Sequence, residues 1–166
     1  MRVEYINPFV ESAFTVLKEV MNTEVKRGEI SLKSTSTSIK GVAALVGLAG
    51  DVEGRVLFDM TKETALAVAT IMAVFAGVMG EGESFSTFDE MAKATIQELA
   101  NMITARAVDK LHDLGYKFDL TPPALFTGDN MEVSTNLGEV EALVVPMELG
   151  SNGKIEVNVA IRERMK

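Results

Sequence analysis

The chain has 166 residues, 47% of them hydrophobic and 24% charged, with a formal net charge of −8; that length implies one domain, residues 1–166, with enough interior for a substantial core. The acidic balance argues against a nucleic-acid binder, which needs clustered Lys and Arg, and against docking on anionic lipid. The absence of cysteine removes disulfides, thiolate zinc sites and a Cys nucleophile.

The opening "MRVEYINPFVE" has no apolar stretch of signal-peptide type. The longest apolar run, Ala65 to Met79, contains Thr and Gly and is too short to span a bilayer, so a cytoplasmic protein is expected. A first amphipathic helix is predicted from about Pro8 to Asn22, where Phe9, Ala13, Val16, Leu17 and Val20 fall on one face and Pro8 suits the first helical position. Three strands follow. "EISLKSTSTSIK" (29–40) reads as half-exposed, "VAALVGLAG" (42–50) as buried on both faces, and "GRVLFDM" (54–60) comes after the turn-like "GDVEG". The short spacings favour antiparallel hairpins. A second helix is predicted over Lys62 to Met79, capped by Thr61 and stopped by Gly80. Thr87 and Glu90 have capping-box spacing for a long helix that runs to about Leu114, with Gly115 as its stop. Pro122 and Pro123 make "LTPPALFTGDNM" a loop. The chain closes with two strands, "EVEALVVPMEL" and "KIEVNVAIRER", joined by "GSNG".

An internal repeat is visible, because each half reads helix, loop, strands. "GDVEGRVLFDM" resembles "GSNGKIEVNVA", and "LKEVMN" (17–22) resembles "IQELAN" (96–101), both with E-x-x-N. On the long helix, Ala92, Ile96, Leu99, Ile103, Ala107 and Leu111 form one stripe, assigned to the core. Glu98 and Asn101, three apart, share the opposite face. Ala94 and Ala105 lie on the same side, and Gln97 and Met102 lie at its edges. Small residues around two polar tips leave a low surface that a partner can approach closely.

E-x-x-N on a long helix, a Pro about twenty residues later, a second helix of the same kind and two helix-plus-strands halves in an acidic chain of this size resemble the CheC/CheX/FliY chemotaxis phosphatases, closest to the stand-alone CheX branch. The resemblance spans essentially the whole chain. It implies a CheC-like α+β fold, long helices packed on a largely antiparallel sheet with a pseudo-twofold helix-plus-strands repeat. It also implies a phosphatase for the aspartyl phosphate of the response regulator CheY. The family pattern is Asp or Ser, three residues, Glu, two residues, Asn, then Pro some 22 residues on. Here Ala94 stands at the leading position, and Pro122 or Pro123 comes one or two residues early. The resemblance gives Asn101 the role of orienting the attacking water and Glu98 that of anchoring the receiver's active-site Lys. Partner contacts are expected at Ala94, Gln97, Met102 and Ala105. No cofactor of the chain's own is implied, since Mg²⁺ comes with the bound receiver domain. A homodimer is also implied, built through an exposed edge such as "STSTSIK" or the last strand. The alternative is a non-catalytic CheY-docking or flagellar switch module of the same fold. In the first helix, Glu19 and Asn22 keep the pair, preceded by Thr15, and read as a degenerate remnant. His112 and Asp109 share a helical face, but two ligands do not make a metal site, and no metal is expected.

Overall fold

The computed structural model describes residues 3–34, 36–134 and 140–164, with Ser36 and Thr37 described by their backbone only. Helix α1 is Val3–Met21. It begins five residues ahead of the predicted start, so Pro8 sits inside it. An interior proline costs roughly 3 kcal/mol. Tyr5, Ile6 and Phe9 are buried on either side of it, each contributing about 1.5–3 kcal/mol, and together they outweigh that cost. Asn22 ends the helix in the left-handed region, φ 49°, which Asn tolerates better than most residues.

The strands are β1 (Lys26–Arg27), β2 (Ser31–Lys33), β3 (Ser36–Ser38), β4 (Gly41–Gly50), β5 (Val52–Thr61), β6 (Phe118–Leu120), β7 (Ala124–Thr127), β8 (Glu132–Ser134), β9 (Ala142–Glu148) and β10 (Lys154–Glu163). The other two helices are α2 (Lys62–Phe75) and α3 (Glu90–Asp113). The single strand predicted over 29–40 is split in two. β2 joins the main sheet beside β9, whereas β3 pairs with β8 in a separate two-stranded ribbon, so "STSTSIK" is not the main sheet's edge; its Thr35 lies outside the described residues, as does Glu139 of the predicted penultimate strand. The predicted loop, 120–131, contains a strand, β7, and a second, β6, ends at its first residue; both pair with β4.

Helix α2 is capped by Thr61, whose hydroxyl accepts from the Thr64 N–H at 3.1 Å. It stops at Phe75, short of the predicted Met79, because Gly77 takes φ 75° and ends the helical path. The cap of α3 is Asp89, not Thr87. The Asp89 carboxylate accepts from the Ala92 N–H at 2.9 Å, while the Asp89 N–H is turned back onto the Thr87 carbonyl. Among the described residues no helix is long and apolar enough to cross a membrane.

The main sheet runs β1-β9-β10-β5-β4-β6, with β2 also on β9 and β7 also on β4, and every pairing is antiparallel. It has a local twofold relation between β5 and β10 at its centre, so the last strand, paired on both sides, is not an exposed edge either. The hairpin β4–β5 answers β9–β10. The short pair β6 and β7 lies along β4 as β1 and β2 lie along β9. Even the irregularities repeat. Between the pairs Leu48–Leu120 and Leu45–Ala124, residues Thr121, Pro122 and Pro123 face only Val46 and Gly47. Between Arg27–Met147 and Ser31–Val144, Gly28, Glu29 and Ile30 face only Val145 and Pro146. Each is a one-residue bulge on an edge strand.

The helices cover one face of the sheet. Val42, Val46, Val56, Phe58, Met60, Val145, Met147, Val157 and Val159 bury that face beneath them. The opposite face holds Leu57 and Ala43, which pack with Ile39 and Val133 of the ribbon side. It also carries the buried polar side chains Arg55, Asp59, Glu156 and Asn158. The Arg55 guanidinium donates to the carbonyl and the side-chain oxygen of Asn158, and burial pulls its pKa down to about 10, so it keeps its charge at neutral pH. Asp59 and Glu156 stand directly opposite each other. Lys40 bridges them, its N–H donating to Asp59 at 2.9 Å and its ammonium pairing with Glu156. Burial pushes the Asp59 pKa up, partly offset by the Lys40 N–H and charge. Burial works the same way on Glu156, but Lys40, Lys33 and Lys154 together bring it below the ordinary value.

Two outcomes follow for stability. Asp89→Ala removes the α3 cap and costs about 1 kcal/mol, whereas Thr87→Ala stays within about 0.5 kcal/mol; urea midpoints measure both. A raised Asp59 pKa means that the native state holds that proton more tightly than the unfolded chain. The group's contribution is present below its ordinary value of 3.8 and is lost as pH rises through the folded value. Asp59→Asn therefore gains stability relative to the native protein as pH rises above about 4, and urea titrations at several pH values show whether the difference changes or stays flat.

Candidate active site on the exposed face of the long helix

The stripe Ala92, Ile96, Leu99, Ile103, Ala107 and Leu111 is fully buried against the core, which fixes the rotation of α3. Ala94, Glu98 and Asn101 consequently face outward and are exposed. They border a groove of about 560 Å³, closed on its other side by Leu120, Thr121, Pro122 and Pro123, with Gln97 between the two walls. The edge bulge thus forms the second wall. Sequence reading recognised Pro122 and Pro123 as helix breakers, but Leu120 and Thr121 carried no signal of their own.

Among the described residues, the side chains of Glu98 and Asn101 have no hydrogen-bond or ion-pair partner within the chain. Two polar tips one helical turn apart, neither engaged, can receive groups from another molecule. Gln97 differs: its Nε2 donates to the Pro123 carbonyl at 3.1 Å. Met102 is half-buried and packs on the core cluster. Ala105 is half-buried farther along α3, and neither residue borders the groove. The ionisations that burial perturbs, at Arg55, Asp59 and Glu156, belong to the far face of the sheet.

The pair in the first helix has other uses. The Glu19 carboxylate meets Arg106 of α3 in a two-pronged contact at 3.2 and 3.3 Å, and Asn22 is the helix-ending residue described above. Nor do the two E-x-x-N segments of the predicted repeat occupy matching places. Helices α1 and α3 are antiparallel, as the Glu11–Lys110 and Glu19–Arg106 contacts require. Superposing their buried stripes sets Tyr5, Phe9, Ala13 and Leu17 against Leu99, Ile103, Ala107 and Leu111. Glu98 and Asn101 then answer Glu4 and Asn7, both exposed. A third E-x-x-N, "EYIN", was legible there once the first helix was extended past Pro8. The bulge of that half carries Gly28, Glu29 and Ile30 in place of Thr121, Pro122 and Pro123, so it lacks the stiff proline pair. His112 is tied to the Phe118 carbonyl through Nε2 at 3.1 Å, a structural use at the end of α3.

Comparison with known proteins points one way. The family model for the chemotaxis phosphatase CheX matches residues 42–148. The sequence is 26% identical to the CheY-P phosphatase CheX of Thermotoga maritima over 98% of both chains. The fold matches the crystal structure of a CheX–CheY–BeF₃–Mg²⁺ complex from Borrelia burgdorferi with a TM-score of 0.79 and 40% identity, covering 98% of this chain and 100% of that one. A CheC-like superfamily protein from Shewanella sp. PV-4 gives a TM-score of 0.81 at 27% identity, over 98% and 99% of the two chains.

Proposed function

The chain belongs to the CheX family of chemotaxis phosphatases, and on that premise we propose that it hydrolyses the aspartyl phosphate of CheY, with the groove beside α3 receiving the receiver's active site. The observation that carries this reading is the pair of exposed, unengaged side chains, Glu98 and Asn101, on one wall of a groove whose other wall is fixed.

A phosphorylated receiver supplies the electrophile, an acyl phosphate on Asp, and its own Mg²⁺ and Lys. Hydrolysis forms a bond from water oxygen to phosphorus and breaks the bond from phosphorus to the carboxylate oxygen, which leaves with its electron pair. This chain contributes placement of the water. The Asn101 carboxamide accepts a hydrogen bond at Oδ1 and donates one at Nδ2, so it holds a water in line without itself titrating. Glu98 pairs with the receiver's Lys by a charge-assisted hydrogen bond and sets the register of the helix in the pocket. Ala94, in the place of the family's leading Asp or Ser, keeps the approach clear. The scheme needs no nucleophile on this protein and no cofactor of its own. Met102 and Ala105 flank the docked receiver farther along α3.

The same reading puts the protein in the cytoplasm with CheY, as a homodimer. Support for a dimer lies at the β1–β2 edge of the main sheet, where, among the described residues, the two strands pair only with β9 and Ile30 and Leu32 stand 58% and 57% exposed.

Asn101→Ala is expected to bind beryllofluoride-activated CheY within about twofold of native affinity while its acceleration of phosphate release falls by about 100-fold or more. Full activity in that variant removes Asn101 from the mechanism, and an inactive native protein that still binds leaves a docking module. Glu98→Ala is expected to weaken binding about tenfold or more, consistent with loss of a charged hydrogen bond; titration calorimetry against activated CheY with unchanged affinity contradicts the anchoring role.

A further inference from the structure

The wall opposite Asn101 is an edge segment with little reason of its own to hold still, yet it is fastened at both ends. The Thr121 N–H donates to the Gly47 carbonyl at 3.0 Å, and the Thr121 hydroxyl accepts from the Gly47 N–H at 2.8 Å. Gly47 permits this closeness, since a Cβ there would lie 3.0 Å from Thr121 Oγ1 and Cγ2. At the other end the Pro123 carbonyl accepts from Gln97 Nε2 of α3. Between these ties, Pro122 and Pro123 have fixed φ and no backbone donor. The bulge of the other half keeps the first tie, from the Gly28 N–H to the Pro146 carbonyl at 2.8 Å, but has no proline pair.

We infer that Gln97 and Thr121 are positioning residues that hold the Pro122–Pro123 wall at a set distance from Asn101, and so fix how a docked receiver seats against that side chain. The inference rests on the phosphatase reading above and assigns Gln97 a task other than touching the partner. Its amide nitrogen already serves the Pro123 carbonyl, across 26 positions of sequence. A wall free to swing outward still lets the receiver bind, because Glu98 and the face of α3 are unchanged. It lets the receiver bind in more than one seating, and a displacement of about 1 Å at the reacting atoms is enough to cost up to about two orders of magnitude in rate.

The test uses the full chain and CheY. Gln97→Met keeps the side chain's length and removes the donor. Thr121→Val keeps the shape and removes the hydroxyl, and Thr121→Ser restores the hydroxyl. Expected for Gln97→Met and Thr121→Val are a fall in kcat of about tenfold, affinity for beryllofluoride-activated CheY within about twofold, and native kcat in Thr121→Ser. The double variant Gln97→Met with Thr121→Val is expected to lose no more than the worse single, since both release one wall. In Gln97→Met the Thr121 amide is expected to exchange with solvent faster than in the native protein. Native kcat in Gln97→Met, or a loss of affinity with kcat intact, overturns the inference. Failure of the phosphatase reading shows differently, as a native protein that does not hasten phosphate loss. In that case unchanged Thr121 exchange in Gln97→Met still sinks the inference by itself.

Discussion

The burial of one stripe of α3 in the core shared by the other two helices and the sheet governs everything else about the site. Ile96, Leu99, Ile103 and Leu111 are at most 2% exposed, and together they contribute about 6–12 kcal/mol of apolar burial. No rearrangement of surface hydrogen bonds, at about 1 kcal/mol each, can turn the helix against that. Glu98 and Asn101 therefore face outward as a by-product of packing. A side chain held this way is already in position before a partner arrives, so little ordering remains to be done on binding.

The sheet explains why the groove beside this helix has a stiffer second wall than the matching edge beside its symmetric counterpart offers. The two halves share a hairpin, an interrupted edge strand and a one-residue bulge in corresponding places. They also share a left-handed residue after the helix, Asn22 in one half and Gly115 in the other. They differ at the bulge. Thr121, Pro122 and Pro123 make a stiff wall that Gln97 can hold, whereas Gly28, Glu29 and Ile30 put a carboxylate and a flexible residue at the equivalent point. Glu29 would also add negative charge where a phosphorylated partner has to approach. The duplicated frame supplies two outward helix faces, and the edge bulge distinguishes between them.

What the sequence disclosed divides along the range of the forces involved. Helical periodicity is local, and it located the core stripe of α3 and the outward pair without error. Caps are local but ambiguous: Thr87 and Asp89 both suit the role, and only the backbone path decides for Asp89. Helix α1 was expected to begin at Pro8 because proline favours the first helical position, whereas burial of Tyr5, Ile6 and Phe9 carries the helix through it. That truncation also hid Glu4 and Asn7 and led to the pairing of Glu19 and Asn22 with Glu98 and Asn101. Edge strands such as β6, β7 and β8 were missed because their signal lies in a partner strand far along the chain. The same is true of the tie from Gln97 to Pro123, which no spacing rule connects.

The central claim is that the Asn101 side chain enters the receiver's phosphorylation pocket. Its side-chain amide protons can be followed by NMR as Mg²⁺ and beryllofluoride-loaded CheY are added to the ¹⁵N-labelled protein. The account predicts that this amide pair shifts strongly and saturates with complex formation, while the amide of Asn22 at the end of α1 does not move. An Asn101 amide pair that stays where it was as the complex forms contradicts the account.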